Sequence, residues 1–181
     1  MSKKKSLYVI IVILLIVAGF VGYKVYDHNQ WKPVTLVVDQ FLDNYSKGNE
    51  EMAQYVLDEG NSNPGPCLEY SEFVKDFFTY EIKGHHKADN RYVVDVKITT
   101  IDIPKILDGN SELYEGLLFQ SDRDAFIKEL RAIKEKPMHQ VNVSLALEPF
   151  DDTYYIVVDD DVLSALSGGF YLYQPAKAEN E

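Results

Sequence analysis

The stretch YYIVVDDDVLSALSGGF, residues 154–170, is typical of a strand that turns directly into a short helix. Tyr154 to Val158 form an uninterrupted aromatic and β-branched run, which favours a strand. Of the three aspartates that follow, Asp160 or Asp161 is predicted to cap the helix, and the other acids favour its positive end. The glycines at 168–169 then end it. The cluster is predicted to be structural, with a cation or partner contact as the alternative.

Helical spacing recurs upstream of this stretch. The first such helix is predicted from Pro33 to Gly48, with Val34, Val37, Val38, Phe41, Leu42 and Tyr45 on its apolar face. Asn49 is predicted to cap a second helix that ends at Gly60. Residues 68–78, LEYSEFVKDFF, are predicted to form a third.

Alternation with a period of two marks the strands. Residues 79–84 and 91–101 are predicted strands around a polar turn, and residues 104–136 return to helical spacing. Two further strands, 141–147 and 154–158, are joined through EPFDDT. The sequence therefore predicts an α+β protein with helices packed on a curved antiparallel sheet.

The amino terminus carries a long apolar run. Leu7 to Tyr23 contain 17 residues without a charge, preceded by the lysines of residues 3–5. Such a run, with basic residues before it, predicts a transmembrane anchor over residues 7–26 and a cytoplasmic tip at 1–6. A cleavable signal peptide is the alternative. No cysteine closes the run, so a lipid-modified amino terminus is excluded.

The rest of the chain is predicted to lie outside the plasma membrane. Residues 27–32 are a short polar linker, 33–173 an extracytoplasmic α+β domain and 174–181 a polar tail. Cys67 is the single cysteine, so the domain has no internal disulfide and depends on its core. The expected topology is single-pass, with the amino terminus cytoplasmic.

The charge of the chain is strongly acidic and unevenly distributed. Eighteen basic residues oppose 29 acidic ones, giving a net charge of −11. Residues 1–26 hold four lysines and no acid, so the remainder carries −11 − 4 = −15. This balance excludes nucleic acid as a partner and suits a basic protein.

Three segments together resemble the nuclear transport factor 2-like superfamily. They are VTLVVDQFLDNYSKGN, RYVVDVKITTIDI and DTYYIVVDDDVLSALSGG. The arrangement is similar to the membrane-tethered extracytoplasmic members of Gram-positive bacteria. The resemblance implies a cone-shaped α+β fold with a cavity between helices and sheet. Some members, such as ketosteroid isomerases, use an acid and a tyrosine in that cavity.

Candidate catalytic and metal-binding residues are few. Asp95 alternates against Tyr92, Val94 and Val96, so it is expected to face solvent rather than the apolar cone. His85 and His86 are expected on a turn, where no spaced His or Cys motif supports a metal site. No known catalytic signature occurs, so the chain is predicted not to be an enzyme and to use no cofactor or metal.

A binding function remains. The expected role is recognition of a protein partner at the cell envelope, as an accessory or sensor subunit or as an immunity protein against an external toxin. The candidate partner contacts are Asp151, Asp152, Asp159 and Asp160. The alternative is capture of a small apolar ligand or peptide in the cone, and a ketosteroid-isomerase-like enzyme is a weaker one.

Overall fold

A computed structural model describes most of the chain. The described residues are 3–57, 71–108, 123–151 and 153–173. The helices in these ranges are α1 (Lys3–Lys47), α2 (Ile103–Leu107), α3 (Arg123–Ala132) and α4 (Asp160–Leu166), with 3-10 helices at Glu50–Tyr55 and Lys75–Phe77. The strands are β1 (Thr79–Ala88), β2 (Arg91–Ile101), β3 (Met138–Phe150) and β4 (Thr153–Val157).

Helix α1 is longer than the sequence predicted. The polar residues 27–32, predicted as a linker, are helical, and the helix passes through Pro33. Proline cannot donate a backbone hydrogen bond, which normally weakens a helix interior. The bond that Pro33 lacks is the one to the carbonyl of Asn29; one turn later the Thr35 hydroxyl donates to the carbonyl oxygens of Trp31 (3.1 Å) and Lys32 (3.2 Å). Trp31 is buried against the sheet, so packing holds the helix together at this turn.

The second half of α1 is the central core element, as predicted. Phe41, Leu42 and Tyr45 are fully buried. They pack with apolar residues of the sheet, such as Val96 and Ile98, in one continuous core. Burial of large side chains at this spacing fixes the helix along the inner face of the sheet.

The four strands form an antiparallel meander in the order β1-β2-β3-β4. This confirms the predicted α+β class. Strand β1 was predicted to end at Gly84, but it continues to Ala88 because a bulge between Ile82 and Gly84 absorbs one residue. Asp89 and Asn90 both have positive φ and form the tight hairpin turn to β2.

The second predicted helix is shorter than expected. Asn49 caps the helix after α1, as expected, but that helix is a 3-10 helix and ends at Tyr55. Val56 instead forms a parallel bridge with Ile156 of β4. Gly60, Leu68, Cys67 and Ser121 lie outside the described residues. Residues 71–74 are helical, within the predicted third helix.

Helix α4 follows β4 through the aspartate cluster, and its cap differs from the predicted one. The Asp159 carboxylate, not that of Asp160 or Asp161, accepts the hydrogen bond of Val162 N–H at 2.9 Å. Strand β4 ends at Val157, which leaves Asp159 in the extended conformation that a cap requires.

The glycine pair ends α4 as predicted. Both Gly168 and Gly169 have positive φ. A Cβ on Gly168 would lie 2.2 Å from the carbonyl oxygen of Ile101, so close packing on β2 also demands glycine there.

The amino-terminal half of α1 makes a different surface. Its apolar side chains between Val12 and Tyr26 are 52–67% exposed. Side chains are not described for residues 3–11. No helix within the described ranges is both long and apolar enough to span a membrane.

Candidate functional site

The structure separates Asp151 from Asp159 and Asp160, the three predicted contact residues that it describes. Asp151 is exposed at the β3–β4 turn, with φ +52°. Asp159 and Asp160 lie at the opposite end of β4, which has five residues and is therefore about 17 Å long. Asp152 lies outside the described residues. The predicted acids therefore do not form one site.

Asp159 contributes instead to a groove that the sequence did not predict. The groove lies between the first half of β3 and α4, and its volume is about 520 Å³. Its walls are His139, Val141, Asn142, Val143 and Ser144 on the strand and Asp159, Asp161, Ser164 and Ala165 on the helix side. One wall is thus a strand with apolar and polar side chains, and the other carries two carboxylates.

Two of the three aspartates have structural hydrogen bonds. Asp159 is committed to the helix cap, and Asp160 accepts a hydrogen bond from Tyr171 Oη at 3.0 Å. This bond to a carboxylate raises the pKa of Tyr171. Asp161 is exposed in the first turn of α4 and lines the groove. The groove therefore has a negative wall at neutral pH.

A second polar cluster lies on the outer face of the sheet. Ser144 Oγ donates to Asp95 Oδ1 at 2.7 Å, and His86 Nδ1 lies 3.2 Å from Asp95 Oδ2. The carboxylate stands between the hydroxyl and the imidazole, so the histidine is not placed to take a proton from the serine. The side chains of His86 and Asp95 are 51% and 42% exposed, which confirms that Asp95 faces solvent.

The two histidines lie on strand β1, not on the predicted turn. Because adjacent side chains of a strand point to opposite faces, they separate. His85 packs on Trp31 with ring centroids 4.3 Å apart, whereas His86 contacts Asp95. No group of three or more His, Cys, Asp or Glu residues suited to a metal ion occurs within the described part of the chain.

An aromatic clamp formed by Trp31, Tyr92 and Tyr154 holds α1 where it leaves the sheet. The Tyr92 ring lies 5.1 Å from the rings of both Trp31 and Tyr154. The Lys87 ammonium lies 4.3 Å above the Tyr92 ring, and Gln30 Nε2 donates to Tyr92 Oη at 3.2 Å.

Two opposite pKa shifts accompany these contacts. Hydrogen bonding to Lys87 is the main cause of the lowered pKa of Tyr92. Burial, followed by the bond to Tyr92, raises the pKa of Tyr154. The contacts fix the direction in which α1 projects from the domain.

Among the described residues, large side chains lie fully buried on the inner face of the sheet. Phe41, Leu42, Tyr45 and Met52 have no exposed surface. The Tyr45 hydroxyl donates to the carbonyl oxygen of Leu166 at 2.8 Å, which connects α1 to α4 through the core. These residues pack the contact between α1 and the sheet.

Comparison with protein-family models, with curated proteins and with solved structures finds no match for this chain.

The groove beside β3 escaped sequence reasoning because it depends on which strands pair. The alternation of Val141, Val143 and Leu145 correctly indicated a strand. The sequence did contain one usable signal. The predicted strand before EPFDDT, residues 141–147, is longer than the predicted strand after it, residues 154–158, so the second strand cannot cover the whole of the first. Only the register shows which end of β3 is left without a partner.

Proposed function

We propose that this protein is a membrane-anchored, extracytoplasmic domain without catalytic activity that recognises a protein partner at the cell envelope. It acts there as an accessory or sensor subunit, or as an immunity protein against a toxin that arrives from outside. The observation that carries the proposal is the groove between β3 and α4, whose helix side carries two carboxylates.

The proposed anchor is the amino-terminal half of α1. Its large apolar side chains from Val12 to Tyr26 are more than half exposed and lie on every side of the helix. Water is a poor solvent for such a surface, whereas lipid suits it. The side chains of residues 3–11, which include the beginning of the apolar run, are not described. The lysines before the run favour a cytoplasmic amino terminus.

The continuous helix favours recognition close to the membrane. About 10 Å of helix separates Lys24 from the aromatic clamp at Trp31. The clamp holds the domain in a fixed orientation to α1, so the groove would stand at a set height above the bilayer.

The large buried side chains between α1 and the sheet favour surface recognition over ligand capture in a cone. Capture needs an open apolar cavity, whereas Phe41, Leu42 and Tyr45 pack the contact between α1 and the sheet. The cone-shaped fold of the nuclear transport factor 2-like superfamily remains part of this proposal, supported by α1 lying across a four-stranded antiparallel sheet.

Capture of partners from envelope extracts tests the proposal. The tagged full chain is solubilised in neutral detergent and incubated with extract at about 0.1 M and about 1 M salt, where the Debye length falls from about 10 Å to about 3 Å. We expect a basic protein that binds at low salt and is lost at high salt.

A matched pair of charge variants makes the test specific. The double variant Asp151→Asn, Asp161→Asn removes one charge at the turn and one at the groove. The control Asp89→Asn, Glu129→Gln removes the same number of exposed charges elsewhere. Weaker capture by the first variant alone supports the proposal. Equal loss in both variants, or no partner at either salt, contradicts it.

A further inference from the structure

Strand β3 has an edge that no described strand covers. It runs for 13 residues, whereas β4 pairs only with Ala146 to Phe150. On the side away from β2, residues 138–145 have no strand partner in the described part of the chain. We call these residues the β3 edge. Unpaired backbone groups along such an edge are a template for another strand.

The register identifies the backbone groups that point outward. The carbonyl of Ile156 accepts a hydrogen bond from Leu57 N–H at 3.1 Å, so the backbone groups of Ile156 point away from β3. Its partner Leu147 must then direct its own groups toward β2. Because direction alternates along a strand, the even-numbered residues of 140–144 direct N–H and C=O outward, with Asn142 at the centre.

The charge beside the edge selects the occupant. Asp159 and Asp161 line the groove along the β3 edge, together with the apolar side chains of Val141 and Val143. A lysine or arginine on an added strand would lay its aliphatic stem on the valines and bring its charge to the carboxylates.

A second copy of this chain is a poor occupant of the same edge. Pairing two β3 edges about a two-fold axis would bring the aspartates of both copies into one interface. Each copy also carries −15 beyond residue 26, so the two domains repel each other.

We infer that the β3 edge binds an extended basic peptide segment, which adds to the sheet as a fifth strand and directs its cationic side chains to Asp159 and Asp161. This inference rests on the proposed function, because it names the chemistry of the partner. Main-chain hydrogen bonds to residues 140–144 supply affinity without regard to sequence. The carboxylates select basic side chains on the face of the added strand toward α4.

The test uses a fluorescent peptide of alternating lysine and threonine, six residues long, and the full chain in neutral detergent. Anisotropy measures its binding, and a peptide of alternating glutamate and threonine is the charge control. We expect the lysine peptide to bind in a saturable manner and the glutamate peptide not to bind. If both peptides bind equally, Asp159 and Asp161 do not select basic side chains, and this part of the inference is overturned.

Backbone pairing is tested by Asn142→Pro against its matched control Asn142→Ala. Proline removes the central outward N–H without removing a hydrogen bond to β2, and it is tolerated on such an edge. Alanine removes the same side chain and keeps the N–H. We expect about fivefold to tenfold weaker binding for the proline variant and less than about twofold for alanine. Equal affinity of the two variants overturns the inference.

Two modified peptides test the same point without changing the protein. One carries N-methyl groups on every lysine amide and the other on every threonine amide. Only one of these two sets can face β3, so we expect one peptide to lose binding and the other to retain it. Retention by both, or loss by both, excludes strand addition.

The results separate this inference from the proposed function. One outcome is that an envelope partner binds with salt sensitivity and with equal affinity to Asn142→Pro and Asn142→Ala. In that case the proposed function stands, and strand addition at the β3 edge is excluded. If the lysine peptide binds as described and no envelope partner is captured, the edge stands and the function fails. If the protein self-associates and Asn142→Pro abolishes this, a second copy of the chain binds the β3 edge. That result would overturn the inference that a basic peptide binds there.

Discussion

The two halves of helix α1 differ in apolar content and in surroundings, since 12 of the 15 residues from Val12 to Tyr26 are apolar against eight of the 15 from Trp31 to Tyr45. Between Val12 and Tyr26 the apolar side chains cover every side of the helix and are exposed. From Trp31 to Tyr45 the apolar side chains other than Leu36 are buried on one side of the helix, while Leu36, Asp39 and other residues face water. A stripe fits one side of a sheet, whereas a fully apolar helix needs an apolar surrounding on all sides. Both the number and the arrangement of the apolar residues distinguish the exposed half from the buried half.

The largest expected effect is on the buried half. Phe41→Ala should lower the free energy of unfolding by about 3–5 kcal/mol, because it leaves a cavity between α1 and the sheet. Urea unfolding of the full chain in detergent measures this. The control is Leu15→Ala in the exposed half, which we expect to change the unfolding free energy by less than about 0.5 kcal/mol. Similar losses in both variants would contradict the division of the helix.

A charge introduced into the exposed half of α1 should weaken its insertion into a membrane. Leu15→Arg places a cation in the middle of the apolar run and should cost about 2.5–3.5 kcal/mol of insertion. Fractionation of cells into membrane and soluble protein measures the effect, with Leu15→Ile as control. An arginine variant that stays fully in the membrane fraction and resists alkaline extraction would count against the proposed anchor.

A smaller effect is expected at the hydrogen bond that joins α1 to α4. Tyr45→Phe leaves the buried carbonyl of Leu166 without this donor and should cost about 1–2 kcal/mol of unfolding free energy. Tyr26→Phe makes the same chemical change in the exposed half and should be neutral. An equal response of the two variants in urea unfolding would show that the Tyr45 hydroxyl contributes nothing.

The smallest effect concerns pH and the polar side of the buried half. Tyr80 Oη donates to Asp39 Oδ1 at 2.8 Å, and burial together with this bond raises the pKa of Tyr80. The neutral phenol is thus favoured in the folded state. The stabilisation that the neutral phenol of Tyr80 gives to the folded state is complete below the unfolded pKa of about 10. It is lost as the pH rises above that value.

Tyr80→Phe should therefore reduce the fall in stability above about pH 10 and cost only about 0.5 kcal/mol at neutral pH. Chemical unfolding at pH 7 and at pH 10.5 measures both quantities. Tyr23→Phe, in the exposed half, is the control. If stability depends on pH identically in Tyr80→Phe and in wild type, Tyr80 does not contribute to the fall in stability at high pH.

Local sequence predicted much of the fold because the deciding interactions are local. The spacing of Val34, Val38 and Phe41 identified the core face of α1, and the glycine pair identified the end of α4. The errors arose where a neighbouring element decides. Strand β1 passes Gly84 because a bulge keeps it paired with β2. Asp159 became the cap because the last strand stops one residue earlier than predicted.

The candidate site was less predictable than the fold. Asp159 was predicted as a contact residue, and it does line the groove, but Asp151 lies at the far end of β4. The β3 edge was not predicted, since a strand without a partner has the same alternation as a paired one.

By itself the sequence determined the α+β class, the strands, the contrast between the halves of α1 and the acidity of the domain. These properties depend on the spacing and composition of the residues, which can be read from the sequence alone. The tertiary structure alone decided that β4 covers only part of β3, and that α4 brings Asp159 and Asp161 beside the β3 edge. Each depends on register and packing between residues far apart in the chain, so no local pattern encodes it.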